Sequence, residues 1–513
     1  MNAVSRLLCV TLVAASLFSC SNDDKSNRLV ILHTNDTHSQ ITPDRNDLGG
    51  VMRRKAVIDS IRQADPNVLL VDAGDAVQGT LFFYLYGGKA EQEVMNDLGV
   101  DIRILGNHEF DNGIDSLASV LALSNATKIS SNYDLSQTPL ADQFVTSSIK
   151  EYGGKRIGFI GINLNPDGMI TKGNYDGLVF EPIVATANKA ASKLKKDDKV
   201  DAVIAISHIG YAPAGLVGDS VLAVNSRDID IIIGGHSHDV IDPKTESGNS
   251  RSHLRNLDGK PVLVVQTGKA GRKLGKIEID LDKLGSDSYP DYELIDIDSR
   301  YDSYNDPKLA ATIKKYSDGV DSLMQLNVGT TTRALDSKSD ELLNFFADYV
   351  LDRGKELAPN VDLAIVNKGG IRDGLPQGKF SKGQILNIFP FRNYITVIDI
   401  KGNDLREAFD VMASRGGDGI SANVTAEYET GEDPHAEDIM INGKELDPDK
   451  TYRVATIDYL AKGGDYMTSL TRSKTVTNSP KLVYDDLLYY LTEGKGKDKP
   501  LEGSLEKRWT IDN

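Results

Sequence analysis

Five short apolar runs in the first 240 residues each stop within a few positions of an aspartate, asparagine or histidine. Leu29 to Leu32 precedes Asn35, Asp36 and His38, and Val68 to Val71 precedes Asp72 and Asp75. Ile102 to Leu105 precedes Asn107 and His108, Ala202 to Ile206 precedes His208, and Ile229 to Ile233 precedes His236 and His238. Val262 to Val265 closes the series, and helix-like segments separate the runs. Apolar runs alternating with helices describe an α/β domain, and the loops leaving the carboxyl ends of its strands converge at one sheet edge. Five of the eight histidines fall in these loops; His33 lies inside a run, His253 and His435 lie in polar segments, and none of these three is given a role.

The densest loop is residues 105–113, LGNHEFDNG, with Asn107, His108, Glu109, Asp111 and Asn112 behind Gly106. A strand that ends in glycine has the backbone freedom to point such groups past a sheet edge. Mixed imidazole, carboxylate and amide donors suit divalent zinc, manganese, iron or cobalt better than calcium, and no cysteine is nearby to make a thiolate site. Asp75, in a Gly-Asp turn, is the natural bridge between two such ions. An ion pair of this kind generates hydroxide from a shared water and clamps phosphoryl oxygens during in-line displacement. Spacing alone leaves His108 open between a ligand to a further metal and a group acting on substrate.

At 513 residues the chain exceeds one core, so two or three domains are expected. A net charge of −17 argues against a nucleic-acid partner, because no basic stripe exists to neutralise a phosphate backbone. It leaves room for a small anion, since bound cations reverse the local field. The N-terminus reads as an export segment: Arg6, then an apolar run from Leu7 to Phe18 that is too short to cross a bilayer. Leu17-Phe18-Ser19-Cys20 resembles a bacterial lipobox, which implies cleavage before Cys20 and a lipid on its sulfur. The chain's two cysteines, Cys9 and Cys20, both lie here, so the mature protein has no internal disulfide. Residues 20–27 form a polar tether whose Asp23-Asp24 resembles surface-export signals, and the expected location is the bacterial cell envelope.

The expected organisation is a lipoprotein signal peptide over 1–19, the tether, a first domain over 28–298, a connector helix over 299–325 and a second α/β domain over 326–513. Asp306 is placed to cap the connector, Pro307 suits its first turn, and Leu309, Ile313, Tyr316, Val320 and Leu323 make one apolar face. Whether that helix links the domains or belongs to the second core is open. In the second region, a helix is expected over 340–353, and a strand over 361–366 leads into Asn367-Lys368-Gly369-Gly370-Ile371-Arg372. Another strand is expected over 395–400, followed by a helix capped by Asp404. A last strand over 452–457 runs into Tyr459 and Gly463-Gly464-Asp465.

The runs Asp36-Thr37-His38, Gly74-Asp75, Gly106-Asn107-His108-Glu109, Ser207-His208 and Gly235-His236-Ser237-His238 stand in the order found in calcineurin-like metallophosphoesterases. More narrowly, the chain after residue 28 resembles the 5′-nucleotidase family. The resemblance implies a four-layer α-β-β-α sandwich followed by an α/β nucleotide-recognition domain. It implies two divalent ions (zinc, manganese or cobalt), one on Asp36, His38, Asp75 and His238, the other on Asp75, Asn107, His208 and His236. His108 would stabilise the phosphoryl transition state and Asp111 would orient its ring, while Glu109 and Asn112 stay structural. In the second domain Arg372 would contact phosphate and Asn367 the base, Phe391 and Tyr459 would stack on that base, and Asp465 would accept from ribose hydroxyls. The chain departs from the family near 333–348, where an arginine is usual and Lys338 stands as a weaker substitute without arginine's fork.

The family also implies rotation of the base-binding domain, and the connector over 306–323 is where a hinge is expected in this chain. The expected activity is hydrolysis of nucleoside 5′-monophosphates. A UDP-sugar hydrolase or a 2′,3′-cyclic phosphodiesterase with 3′-nucleotidase activity would share the metal ligands. From another class, a surface nucleotide-binding lipoprotein is the rival.

Overall fold

A computed structural model describes residues 27–213, 215–337, 339–429 and 434–512. The expected export segment, Cys20, most of the expected tether and Lys338 lie outside the described residues. Among those described, no helix is long and apolar enough to cross a membrane.

The first domain is two sheets face to face. The first sheet runs in the order Asp291–Asp296, Lys273–Asp280, Arg28–Thr34, Val68–Asp72, Ile102–Arg103 and Thr127–Lys128. Its last four strands are parallel, and Lys273–Asp280 returns antiparallel to Arg28–Thr34. The second sheet contains Val240–Ile241, Pro261–Thr267, Ile231–Ile233, Ala202–His208, Lys155–Asn163 and Ser147–Tyr152, with His253–Arg255 on one side. Its central strands, Lys155–Asn163, Ala202–His208, Ile231–Ile233 and Pro261–Thr267, are parallel.

Strand alternation divides the apolar residues between two cores. Leu29, Ile31, Leu69 and Val71 pack against Ile204, Ile206, Ile231 and Ile233 of the opposite sheet. Val30, Leu32 and Leu70 face outward and meet Val57 and Ile58 of the helix Val51–Ala64 and Val94 and Leu98 of the helix Lys89–Leu98. On the far side, Val203, Ala205 and Ile232 meet Ala187, Ala191 and Leu194 of Ile183–Lys196. The result is the four-layer α-β-β-α order that the resemblance implies. Both faces of these strands are covered, which is why the runs are continuously apolar. The expectation drawn from polar strand ends passed over Ser147–Tyr152 and Lys155–Asn163, which deliver no such group to the centre.

The helix Pro307–Met324 starts as expected: Asp306 accepts the Leu309 N–H at 2.8 Å and proline fills the first turn. Leu309 and Tyr316 are buried in the first domain's helical core, and Thr312 donates to Asp97 at 2.6 Å. Only its last turn, at Val320 and Leu323, packs against the second domain's core. The helix therefore joins the two, anchored on the first.

The second domain is built on a sheet ordered Gly419–Ile420, Leu363–Val366, Thr451–Ile457, Tyr394–Lys401 and Lys474–Leu482, with a second sheet of Lys444–Glu445, Ala436–Ile441, Val424–Glu429 and Trp509–Asp512 beside it. The helix Asp340–Leu357, capped by Ser339, packs Leu342, Phe346 and Val350 onto this core. One expectation is corrected: the helix after Tyr394–Lys401 begins at Gly402, so Asp404 lies in its first turn rather than capping it. The Asp404 carboxylate instead pairs with Arg472 at 2.6 Å.

Candidate active site

The strand ends meet where expected, along the edge shared by the two sheets. Asp36 is fully buried; its Oδ2 accepts from Asn35 Nδ2 at 2.6 Å and from the His236 N–H at 2.9 Å. Its Oδ1 has no hydrogen-bond partner. That atom lies 3.4 Å from His238 Nε2, 3.8 Å from His38 Nε2 and 4.0 Å from His208 Nε2. His38 Nε2 and His238 Nε2 are 2.9 Å apart. On the other side of the centre, Asp75 Oδ2 is 3.1 Å from His208 Nε2, and His236 Nδ1 is 2.9 Å from Asn107 Oδ1.

The four shorter separations, from 2.9 to 3.4 Å, match donor atoms around a shared cation, since two bonds of about 2.0–2.2 Å at tetrahedral or right angles put their ends roughly 3.0–3.5 Å apart; the two from Asp36 to His38 and His208 are wider. Asp36, His38 and His238 form one group with metal-ligand spacing, and Asp75, His208 and His236 form another. Asp75 also groups with His38 and His108, so it stands between the two halves. Two buried imidazoles facing each other and a buried carboxylate oxygen without a donor are costly unless a cation lies among them. The residues present fit divalent metal.

Backbone groups fix the imidazoles. His208 Nδ1–H donates to the Ala73 carbonyl at 2.7 Å and His38 Nδ1–H to the Gln78 carbonyl at 3.2 Å, which leaves each Nε2 facing the centre. Burial drives the pKa of His236 down to about 4, and burial with the neighbouring Arg372 charge lowers His38, so both rings are neutral donors at pH 7. His208 moves the other way. Burial opposes its charge, but Asp75 and Asp36 outweigh burial and raise it to about 10. Without metal, a proton on His208 offsets part of the charge of the two carboxylates; a bound cation would take over that role and displace the proton.

Asp36, His38, Asp75, His236 and His238 all adopt positive φ, between 47° and 78°. Non-glycine residues hold that conformation at a cost of about 1–3 kcal/mol each and concentrate at functional sites. Gly106 is required for a different reason. A Cβ there would sit 2.2 Å from Asp75 Oδ1, so the 105–113 loop can cross the Asp75 turn only without a side chain.

Within that loop, His108 Nδ1–H donates to Asp111 Oδ2 at 2.9 Å, and the His108 backbone N–H donates to Asp75 Oδ1 at 2.9 Å. Burial lowers the His108 pKa, Asp111 and Asp75 raise it, and the net shift is upward, favouring imidazolium. Glu109 is nearly fully buried, and its carboxylate accepts the N–H groups of Gly106 at 2.6 Å and of Asp75 and Ala76 at 3.0 Å each. Reading the loop as a sequence gave Glu109 no function beyond structure. The signal for its part was present, in a buried-type neighbour (Phe110) and two loops that must meet, but the partners are backbone groups and leave no residue pattern.

The second domain reaches this centre. Arg372 Nη2 lies 3.2 Å from both ring nitrogens of His38, and its guanidinium is 5.7 Å from the Phe391 ring. Phe391 in turn lies 5.9 Å from the His108 ring. Asn367, Tyr459 and Asp465 form a separate cluster: Asn367 Nδ2 donates to Asp465 Oδ2 at 2.6 Å, and the Tyr459 hydroxyl donates to Asp465 Oδ1 at 2.8 Å. Arg415, absent from the sequence-based set, donates to the Asp465 carbonyl at 2.8 Å and pairs with Asp418. His33 is buried against Tyr292 at 3.1 Å and His253 stacks on Tyr289.

Residues 29–240 match the family model for calcineurin-like phosphoesterases, and residues 320–472 match that for the C-terminal domain of 5′-nucleotidases. The chain is 28% identical to mouse (Mus musculus) 5′-nucleotidase over 489 residues, covering 85% of this chain and 83% of that protein. It is also 28% identical to the trifunctional nucleotide phosphoesterase protein YfkN of Bacillus subtilis, over 94% of this chain but only 36% of that longer protein. The crystal structure of the 5′-nucleotidase precursor from Thermus thermophilus superposes with a TM-score of 0.82 at 27% identity, covering 95% of this chain and 99% of the other. With its two matched domains in this order and its candidate metal-binding groups at the shared sheet edge, the chain belongs to the 5′-nucleotidase family of phosphoester hydrolases.

Proposed function

We propose that this protein hydrolyses nucleoside 5′-monophosphates to nucleoside and phosphate at a centre for two divalent cations. Asp36, His38, Asp75 and His238 would hold one ion, and Asp75, Asn107, His208 and His236 the other. When bound, such ions supply Lewis-acid charge and an activated water at neutral pH. The single observation that carries the reading is the approach of Arg372 to His38 at 3.2 Å, which sets the second domain's only guanidinium in the Asn-x-Gly-Gly-Ile-Arg motif beside the metal ligands.

The chain's own groups then have distinct parts. Arg372 pairs with phosphoryl oxygens through its planar fork. His108, held at Nδ1 by Asp111 and favoured as imidazolium, directs Nε2–H and positive charge at the oxygen where negative charge builds up. Phe391, between Arg372 and His108, and Tyr459 offer ring faces to a base. Asp465, with Asn367 behind it, offers carboxylate oxygens to a ribose diol. The Leu17–Cys20 box supports, as part of the same proposal, a lipid-anchored protein of the cell envelope.

Identification of the products formed by purified protein reconstituted with manganese, zinc or cobalt tests the reading, across mononucleotides, UDP-glucose and 2′,3′-cyclic nucleotides. Nucleoside and phosphate from 5′-monophosphates are expected at a higher rate than products from the other two classes. Preferential conversion of UDP-glucose to UMP and glucose 1-phosphate, or of cyclic nucleotides to monophosphates, would replace the substrate, and nucleotide binding with no product under any metal would replace the enzyme with a binding protein.

A further inference from the structure

The two halves of the site, the His108–Asp111 pair and the Tyr459–Tyr466 turn, belong to different domains, and one segment of the first domain touches both. Residues 164–178 leave the end of Lys155–Asn163 as a series of turns. The segment is fixed at its root by Tyr133, whose hydroxyl donates to the Leu164 carbonyl at 2.6 Å, and by Ile170, buried with Leu105 and Phe110. Asn174 Nδ2 donates to the carbonyls of Phe110 at 2.9 Å and Asp111 at 3.1 Å. At its tip, the Gly168 carbonyl accepts the Tyr466 N–H at 3.0 Å, and the Met169 carbonyl lies 3.3 Å from the Tyr459 hydroxyl.

The tip is shaped for that contact. Gly168 has φ +83°, and a Cβ on it would stand 3.0 Å from Cδ1 of the Tyr466 ring. Tyr466 and Asp465 themselves hold positive φ, so the turn that presents the Asp465 carboxylate is a strained one with an external brace. The Tyr459 hydroxyl has one proton and two acceptors, Asp465 Oδ1 at 2.8 Å and the Met169 carbonyl at 3.3 Å. A ligand hydroxyl that donates to Asp465 competes for the carboxylate and turns the Tyr459 proton toward Met169, tightening the brace.

We propose that residues 164–178 form a specificity-determining strap that braces the Asp465 turn at one end and positions the Asp111 backbone at the other, so that a nucleoside bound at that turn is coupled to the His108–Asp111 pair. The proposal rests on the nucleotidase reading above. Gly168 acts at the specificity end, and Asn174 is a positioning residue at the other.

Gly168→Ala and Asn174→Ala test it, with AMP and p-nitrophenyl phosphate as the two probes, the second carrying no ribose or base. Gly168→Ala is expected to raise KM for AMP about five- to tenfold while kcat/KM for p-nitrophenyl phosphate stays within twofold. Asn174→Ala is expected to lower kcat for both probes about five- to tenfold while KM for AMP stays within twofold, a split that a merely structural role would not produce. If Gly168→Ala does not fold, Gly168→Asn keeps the left-handed backbone accessible and still crowds Tyr466. An unchanged KM for AMP in the folded variant, or an equal loss on both probes, overturns the strap. Wild-type turnover of AMP tests the nucleotidase reading separately, and binding of adenosine, which has no ester, gives the strap its own readout: weakening in the Gly168 variant supports it and equal affinity rejects it.

Discussion

The Glu109 carboxylate accepts the Asp75 backbone N–H at 3.0 Å, a bond that helps hold the Asp75 turn in register with the loop after the third parallel strand. The same carboxylate takes the Ala76 and Gly106 N–H groups, and Arg103 lies 3.3 Å from its Oε1. Four donors on one buried anion make a brace between two loops, with no direct contact to the centre required. Charge-assisted bonds of this kind are worth about 1.5–3 kcal/mol each, and leaving buried donors unsatisfied costs about as much.

Glu109→Ala is therefore expected to lower the affinity for divalent metal about 10- to 100-fold, the range seen when an outer partner of a ligand is removed. The melting temperature of the chelated protein should fall as well. Glu109→Gln keeps the acceptor oxygen at one position and should recover part of both losses. Metal titration followed by calorimetry, with thermal melts with and without chelator, checks this; unchanged metal affinity in Glu109→Ala would reject the brace.

Asp111→Asn tests the pair at the other end of the loop. The substitution keeps the size of the side chain but removes the negative charge that, after burial, is the main influence on His108 and the larger of the two, with Asp75, that raise its pKa. The His108 pKa should drop, and the limb of the pH–kcat profile that reports it should move to lower pH. Loss of kcat by about 10- to 100-fold with little change in KM is expected, because general acid and electrostatic help of this type is worth about 10²–10⁴ in full. A pH profile that does not move would separate Asp111 from His108.

The strand-end pattern made the metal-ligand candidates legible because the ligands are side chains of chemically distinctive types, fixed to strands by short loops. Asp36, His38, Asp75, Asn107, His208, His236 and His238 all lie at one edge for that reason. What stayed hidden is carried by backbone. The positive φ at Asp36, His38, Asp75, His236 and His238, the carbonyls of Ala73 and Gln78, and the amides held by Glu109 have no compositional trace. The start of the helix at Gly402 was hidden similarly: Asp404 has the right chemistry for a cap, but Gly402 N–H is taken by the Lys450 carbonyl and Asp404 by Arg472. The central strand Lys155–Asn163 also ends in an asparagine, but Asn163 ties loops together instead of reaching the centre: its Nδ2 donates to the Leu105 carbonyl and its Oδ1 accepts from Ser130.

Glu91 gives a pH dependence away from the centre. Its carboxylate is 3% exposed, has the Ser39 hydroxyl as its neighbouring polar group, and lines two small cavities beneath the Asp75 loop, of about 20 and about 30 Å³. Burial raises its pKa from 4.5 to about 7. Between these values the unfolded chain loses the proton and the folded chain keeps it, so stability falls as pH rises through this window and the full cost is present above pH 7. The shift corresponds to an upper bound of about 3 kcal/mol. Glu91→Gln should therefore raise the melting temperature at pH 8 and leave it nearly unchanged at pH 4; an equal effect at both would show that the charge is not the cause.

Arg372→Lys separates charge from geometry at the domain junction. The guanidinium stands 3.2 Å from both His38 ring nitrogens while lying within 5.7 Å of the Phe391 ring, a placement that uses its flat shape as well as its charge. Lysine keeps the positive charge and loses the fork. If Arg372 grips phosphoryl oxygens, Arg372→Lys should lower kcat/KM by about 10- to 100-fold, with Arg372→Ala lower again, since a bidentate charged pair is worth roughly twice a neutral hydrogen bond. Metal binding should be retained in both variants, because Arg372 donates no ligand atom; removing its charge eases protonation of His38, so any loss of metal affinity should appear only at acidic pH. Steady-state kinetics on a mononucleotide and metal titration at pH 6 and pH 8 decide it. A lysine variant with unchanged kcat/KM would reduce Arg372 to a contact between domains and leave the phosphoryl group to the metal centre and His108.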